Sequence, residues 1–430
     1  MVRPVYAAGI GISICKSRAN GRCGASGQIV PGTSPCVARY LPRGEPGLRF
    51  CRIPPGGVCM APDNGEPVFV TPERLAQEQT HAMTPERGRL VLAACQSGTV
   101  LAREIAAAYR QLEQRWAGSG ELVLMDDIEY GFTDSETCVR IPSSVSGSDV
   151  FLVQSLYNPV RGTSVNENCL PLLIAARAFR EHGAKHITAI TPYLAYSRQD
   201  KPTRFLREPT TARLLADLAV TAGIDRLLTW HPHSKQVHGF YGATPLATLE
   251  PIDYFVDLFN HYAGRDDVVL VAPDEGAAKM VTRVAMTLNV SSAIAAKLRS
   301  SGGSIESSRL IGDFEGKRVA ILLDDIIGSG GTLRAAITGI AERSDIGEFH
   351  VAASHNLCLD KAHRMLDELA RFRGLARVVV TDSIPQTEQF RTLPFFRVRP
   401  LAETLARAVN RIHYSRSLSE VFREQQQSGQ

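Results

Sequence analysis

No uninterrupted apolar run in the 430 residues approaches the roughly 20 needed to span a bilayer, so no membrane partner is expected. Net charge is scarce as well. A formal +4 over this length gives no argument for a nucleic acid or an anionic surface as partner. The order GxxxxGK[ST] is missing, which excludes an ordinary P-loop kinase. Nine cysteines, an odd number scattered along the chain and without a CxxC pair, argue against a disulfide framework and for free thiols in a reducing compartment. A signal peptide is also wanting. Met1 to Cys15 is weakly apolar and glycine-rich, and Cys15 follows Ile14 where a small residue would be needed. The expected location is the cytoplasm.

What is present changes character near residue 89. Residues 1–88 are rich in Gly, Pro and Arg and hold five of the cysteines, Cys15, Cys23, Cys36, Cys51 and Cys59. No histidine sits among these thiols, so a zinc site is not read there. Without sustained periodicity the segment is expected to be a weakly ordered extension. Beyond it, apolar runs alternate with amphipathic stretches. Strands are predicted over Arg89–Ala94, Asp149–Ser155, His186–Pro192, Arg226–Trp230, Asp267–Pro273, Arg318–Leu323, His350–Ser354 and Arg377–Thr381. Helices are predicted over Leu170–His182, Thr211–Ala222, Ala277–Leu288, Thr332–Arg343 and Lys361–Arg373. Fully apolar strands alternating with helices imply an α/β fold with parallel sheets flanked by helices. Ligands then belong beyond the carboxyl ends of the strands.

The most informative segment is Val319–Leu333, VAILLDDIIGSGGTL. An apolar strand is followed by Asp324 and Asp325, then by the turn Gly328-Ser329-Gly330-Gly331-Thr332 and a helix. Glycines let successive N–H groups face one phosphate. The helix amino terminus adds partial positive charge. Ser329 and Thr332 can donate hydroxyl hydrogen bonds, and the paired aspartates can hold ribose hydroxyls or hydrated Mg²⁺.

This segment resembles the phosphoribosyl-pyrophosphate (PRPP) binding motif shared by type I phosphoribosyltransferases and PRPP synthetases. Residues from about Leu90 to Phe422 resemble a PRPP synthetase (ribose-phosphate pyrophosphokinase) nearly end to end. Phe132-Thr133-Asp134-Ser135-Glu136 resembles that family's FSDGE segment, so the resemblance puts Phe132, Asp134 and Glu136 on ATP. Pro192–Lys201, PYLAYSRQDK, resembles PYFGYARQDR and implies an adenine-nucleotide role for Arg198 and Gln199. The stretch Gln236–Tyr241 resembles IQGFF and sets His233 on the family's metal-binding histidine; Pro273-Asp274-Glu275-Gly276 makes Asp274 a second magnesium contact. Lys297 and Arg299 fall on the working cations of the catalytic loop, with Ser300–Ser308 expected to be its mobile part. Asp324, Asp325, Ser329, Gly330, Gly331 and Thr332 would hold ribose 5-phosphate. The resemblance implies two tandem type I phosphoribosyltransferase-like units, residues 89–250 and 251–400, and a closing segment, 401–430, whose helix over Leu401–Phe422 packs on the first unit. It also implies Mg²⁺, a homo-oligomer (dimer or hexamer), and transfer of the β,γ-pyrophosphoryl group of ATP to the C1 hydroxyl of ribose 5-phosphate.

Three positions depart from the family pattern. His231 stands where an Asp is usual, bringing a neutral or cationic imidazole near the triphosphate. Gly328 replaces a third loop acid, and Leu298 replaces the middle arginine of the catalytic loop. Asn158–Asn168 carries an insertion. These changes leave two alternatives open: a catalytically weak homologue that regulates a true synthetase, or a pyrophosphokinase with another acceptor.

Overall fold

The computed structural model describes residues 87–116, 122–299 and 305–418, preceded by two short strands. Those strands, β1 (Val58–Met60) and β2 (Val68–Val70), pair antiparallel within a unit spanning residues 1–81. Apart from Arg87 and Gly88, the remainder of the expected extension lies outside the described residues.

In the second compact unit, residues 82–430, the elements run in chain order. They are β3 (Leu90–Ala94), α1 (Thr99–Trp116), β4 (Val123–Met125), β5 (Glu129–Gly131), β6 (Thr137–Val139), β7 (Asp149–Val153), α2 (Val165–Glu181), β8 (His186–Ile190), α3 (Thr211–Ala222), β9 (Arg226–Trp230) and β10 (Leu246–Leu249). Then follow α4 (Ile252–Phe259), β11 (Val268–Ala272), α5 (Ala278–Leu288), β12 (Ser291–Arg299), β13 (Ile305–Ile311), β14 (Val319–Ile327), α6 (Gly331–Ala341), β15 (Glu348–Asn356), α7 (Asp360–Phe372), β16 (Leu375–Thr381), α8 (Glu388–Arg391), β17 (Phe396–Arg399) and α9 (Ala402–His413).

One sheet has the order β10-β9-β8-β7-β3-β4, and all its pairs are parallel. The other has the order β13-β12-β11-β14-β15-β16-β17 and is parallel except for the antiparallel pair β12–β13. The α/β class with parallel sheets therefore holds, with that one hairpin as an exception. Each sheet reverses its strand order once, between β3 and β7 in the first and between β11 and β14 in the second. Such reversals open a crevice at the carboxyl ends of the strands.

Apolar side chains explain the layering. Strands such as LVLAA of β3 and VVLVA of β11 are buried along their whole length, as parallel strands covered on both faces must be. Leu172, Ala175 and Phe179 of α2 and Ala212, Ala216 and Ala219 of α3 close one face of the first sheet. Leu333, Ile337 and Ile340 of α6 and Met365 and Leu369 of α7 close one face of the second. The inner faces share a single cluster in which α1, α4, α5 and α9 meet residues of both sheets, including Leu92, Trp230, Leu270 and Leu323. Each fully buried large apolar side chain contributes about 1.5–3 kcal/mol relative to exposure.

The carboxyl-terminal helix is shorter than expected, ending at His413 rather than Phe422, and residues beyond 418 lie outside the described ones. It returns to the first sheet. His413 Nδ1 is 2.9 Å from Asp149 Oδ2 at the foot of β7, and the same carboxylate accepts from Arg87 Nε and Nη2 at 2.9 and 3.1 Å.

Sequence periodicity did not predict α1, although Leu101, Ile105, Tyr109 and Leu112 recur at helical spacing and are all buried. The short strands β4, β5, β6, β10 and β17 were also unassigned. Part of the stretch expected to be mobile, Ser300–Ser308, proves to be strand. Its last four residues begin β13, which pairs with β12 at Lys297↔Ser308, while 300–304 lie outside the described residues.

Candidate active site

The glycine turn sits at the second reversal point. β14 continues to Ile327, so Asp324 and Asp325 lie inside the strand rather than beyond its end. The parallel ladder with β15 carries on past them, with Asp324 opposite Ala353 and Ile326 opposite His355, and this keeps the backbone extended. After Gly328 and Ser329 the chain turns at Gly330, φ +81°, and α6 begins at Gly331. A Cβ on Gly330 would come within 1.9 Å of Met365 Cε. The positive φ is what favours glycine here, while the Met365 methyl ends a flexible side chain that can move aside. The first N–H groups of α6 have no acceptor within the helix and are free for an anion.

Carboxylates crowd this point. Asp324 is 6% exposed, and its Oδ1 accepts from Asp325 N at 2.9 Å. Burial raises the Asp324 pKa well above the carboxylate range, and the charges of Asp325 and Asp274 add to the effect. Asp274, just past β11, caps its own turn by accepting from Gly276 N and Ala277 N at 3.0 and 3.3 Å. Asp325 moves the other way. Burial acts to raise its pKa, but a 2.6 Å contact with His233 Nδ1 and the His233 charge outweigh it and hold the pKa below the usual range. The same hydrogen bond raises His233.

His233 arrives from the first sheet, three residues past β9. Arg198, in the loop after β8, is near enough for its charge to oppose protonation of His233, while Asp200 favours it. Asp200 also accepts from Ser234 Oγ at 2.6 Å, fixing the start of the segment after His233. His233, Arg198, Asp325, Asp324 and Asp274 thus form one neighbourhood drawn from both sheets.

His231 does not face solvent as a cation. Burial pushes its pKa down to about 3, so the imidazole is neutral. Its Nδ1 lies 2.6 Å from Ser354 Oγ on β15, and its carbonyl accepts from His355 Nε2 at 3.1 Å. His355, lowered to about 4 by burial, sits 2.8 Å from Ser383 Oγ through Nδ1. These contacts tie the end of β9 to β15 and to the turn after β16. The motif reading missed this network and Asp200. Asp200 lies only two residues beyond Arg198, whereas Ser354 and His355 stand in an apolar run that signals only a strand.

Other expected site residues stand apart. Phe132, Asp134 and Glu136 occupy the tip of the β5–β6 hairpin, where Phe132 N donates to Glu136 O at 2.8 Å and Asp134 Oδ1 accepts from Glu136 N at 3.1 Å. Phe132 is 54% exposed, and no hydrogen bond or ion pair among the described residues joins this tip to His233 or Asp325. Gln199 borders α3, its carbonyl accepting from Ala212 N at 3.2 Å. The backbone of Lys297 and Arg299 belongs to β12, with a register shift between Leu298 and Arg299. Their side chains lie outside the described set.

Comparison with known proteins finds two domains in this chain. The N-terminal domain of ribose phosphate pyrophosphokinase matches residues 90–223, and the phosphoribosyl transferase domain matches 241–383. The ribose-phosphate pyrophosphokinase of Caldanaerobacter subterraneus is 35% identical over 303 residues, which cover 69% of this chain and 90% of the relative. That of Parasynechococcus marenigrum is 35% identical over 356 residues, covering 83% and 99%. The chain belongs to the ribose-phosphate pyrophosphokinase family. As a member it is a pyrophosphoryl-transferring enzyme. The solved phosphoribosylpyrophosphate synthetase of Mycobacterium smegmatis, 32% identical, superposes on this pyrophosphokinase with a TM-score of 0.66 over 76% of this chain and 99% of its own. Among the described residues no helix is long and apolar enough to cross a membrane.

Proposed function

We propose that this pyrophosphokinase joins ATP and ribose 5-phosphate in the crevice between β11 and β14. The C1 hydroxyl oxygen attacks the β-phosphorus, the bond from that phosphorus to the α,β-bridging oxygen breaks, and PRPP and AMP leave, with the hydroxyl proton passing to solvent. The turn Ser329, Gly330, Gly331 and Thr332 takes the 5-phosphate through backbone N–H groups and hydroxyls. Asp324 and Asp325 accept from ribose hydroxyls and hold C1 toward the triphosphate. Arg198 and Gln199 bind the nucleotide, and Lys297 and Arg299 offset charge developing on the transferred group and on AMP. The exposed tip bearing Phe132, Asp134 and Glu136 would complete the ATP site of a neighbouring subunit, as the homo-oligomer implied by the resemblance allows.

Among the described residues no three His, Cys, Asp or Glu side chains gather into a metal cage. Mg²⁺ asks for less, taking one or two carboxylates together with substrate phosphates and water. Asp274 beside the buried Asp324, with His233 across the crevice, fits that need. Bound Mg²⁺ would supply charge neutralisation at the phosphate oxygens.

The observation that carries the proposal is the 2.6 Å meeting of His233 with Asp325 beside the glycine turn, because it joins the two halves that the two substrates need. The test is product analysis by ³¹P NMR with ATP, Mg²⁺ and ribose 5-phosphate. PRPP and AMP are expected in equal amounts, and Lys297→Ala is expected to slow their appearance at least 100-fold. Formation of ADP, or an unaltered rate in Lys297→Ala, would refute the assignment.

A further inference from the structure

The first sheet also reverses its strand order, between β3 and β7, and the crevice this creates is not part of the site above. A cavity of about 760 Å³ opens there, large enough for a small metabolite. It is walled by the loops after β3, β4 and β7 and by the turn and short helix after β16. The order of chain passage is the same in both sheets: β3, β4 and β7 occupy the places that β11, β12 and β14 occupy in the second. The cavity is therefore the topological counterpart of the phosphate site.

Its chemistry differs in an informative way. At the phosphate site a bare helix terminus follows the reversal strand. Here the first turn of α2 is already satisfied. Ser164 Oγ accepts from Glu167 N at 3.3 Å, and Glu167 Oε2 accepts from Ser164 N at 2.8 Å. The Glu167 carboxylate fills the place a phosphate would take. Two arginines stand in the cavity wall instead. Arg161 comes from the insertion after β7, where its backbone N–H donates to Asn158 Oδ1 at 3.1 Å and its Nη2 donates to Gln96 Oε1 at 2.6 Å. Arg391 ends α8, and its Nε donates to Gln386 O at 3.0 Å. Neither guanidinium has a carboxylate within ion-pair distance among the described residues. Asn158 and Gln386 are buried and line the same space.

Five carboxylates also line the cavity, against three arginines, with Asp126 paired to Arg103 and Asp382 accepting from Leu401 N. That balance disfavours a bare phosphate. It suits a ligand whose anionic group meets the two arginines while its hydroxyl groups donate to carboxylates and exchange hydrogen bonds with the amides. We propose that the β3–β7 crevice is a second, non-catalytic binding site for a phosphorylated sugar, with Arg161 and Arg391 holding its phosphate.

Radiolabelled ribose 5-phosphate in equilibrium dialysis against the full-length protein, without ATP, tests this. Two sites per chain are expected, with inorganic phosphate and unphosphorylated ribose competing poorly at the second. Arg161→Gln/Arg391→Gln should abolish one site while leaving the unfolding midpoint and the initial rate of AMP formation unchanged, since both side chains are exposed and outside the catalytic crevice. Gly330→Ala should weaken the other site instead. Retention of two sites in the arginine variant, or a single wild-type site that only Gly330→Ala weakens, overturns the second site. A single site removed by the arginine variant alone would keep this inference and instead refute the placement of ribose 5-phosphate in the glycine turn.

Discussion

Replacing Gly330 with alanine places a methyl group against the end of the Met365 side chain, on a backbone whose φ has the wrong sign for an L-residue. At φ +81° an L-residue pays about 1–2 kcal/mol for the left-handed conformation. The added Cβ would also lie 1.9 Å from Met365 Cε, an overlap that a rotation of that flexible side chain relieves at small cost. The penalty, about 1–2 kcal/mol and mostly torsional, has two outlets. Either Met365 is displaced from the α7 face and the fold loses stability, or the turn opens and its N–H groups leave the phosphate. The second outlet costs ribose 5-phosphate binding, so about 1–2 kcal/mol appears as a roughly 5- to 30-fold fall in kcat/KM for that substrate. The KM for ATP should move much less, because the side chains proposed for the nucleotide lie on other loops. Coupled AMP formation and thermal unfolding report the two outlets separately. Adding Met365→Leu removes the terminal methyl at small cost and should recover the steric share, leaving the torsional one. A Gly330→Ala protein with wild-type stability and wild-type kcat/KM would refute the geometric reasoning, and with it the claim that this turn is what grips the sugar phosphate.

Two further predictions concern stability. Asp149 is fully buried between Arg87 and His413, so Asp149→Ala strands the Arg87 guanidinium, takes the carboxylate from the His413 imidazole, and should cost about 3–5 kcal/mol in urea unfolding; a loss under about 1 kcal/mol would show that α9 is held by apolar packing alone. Burial raises the Asp382 pKa to about 7, against about 3.9 for an unfolded aspartate. The folded state then binds the extra proton between these values. Stability from this group is complete below about pH 4 and lost as pH rises through 7, by up to about 4 kcal/mol. Asp382→Asn should flatten that slope between pH 4 and 7, and an unchanged slope would place the titration elsewhere.

How far the sequence reached depends on where each signal lives. Eight buried strands announced themselves because parallel strands covered on both faces must be apolar throughout, and DVFLV or VVLVA allow little else. The glycine turn was legible because its conformation forbids a side chain at Gly330. Short strands such as Glu129–Gly131 and Thr137–Val139 carry no such constraint. They are held as a hairpin by pairing partners, so their residues need not be apolar. The β12–β13 hairpin hid for the same reason: Ser and Gly around residue 303 read as loop, while the strand character of β12 comes from its place beside β11. Asp324 and Asp325 were found but set one step too late, because two charged residues read as the end of a buried strand. Continuation of the ladder to Asn356 of β15 carries them inside it.

The replacement of the usual aspartate by His231 shows why a departure from a motif is not a loss of its purpose. Read along the chain, it exchanges an anion for a possible cation beside a triphosphate, an exchange that should alter electrostatics directly. In the fold the imidazole is held neutral by burial and touches Ser354. Its remaining task is mechanical. At φ +40° the chain bends so that His233, two residues on, reaches Asp325, and the contacts from Ser354 and His355 hold that bend. A neutral hydrogen-bonding side chain can do this as well as a charged one, since a buried carboxylate there would need its own compensation next to Asp325. The position thus selects for shape and hydrogen bonding. The His233–Asp325 contact, on which the joining of the two halves depends, is kept without the charge that the motif would have supplied.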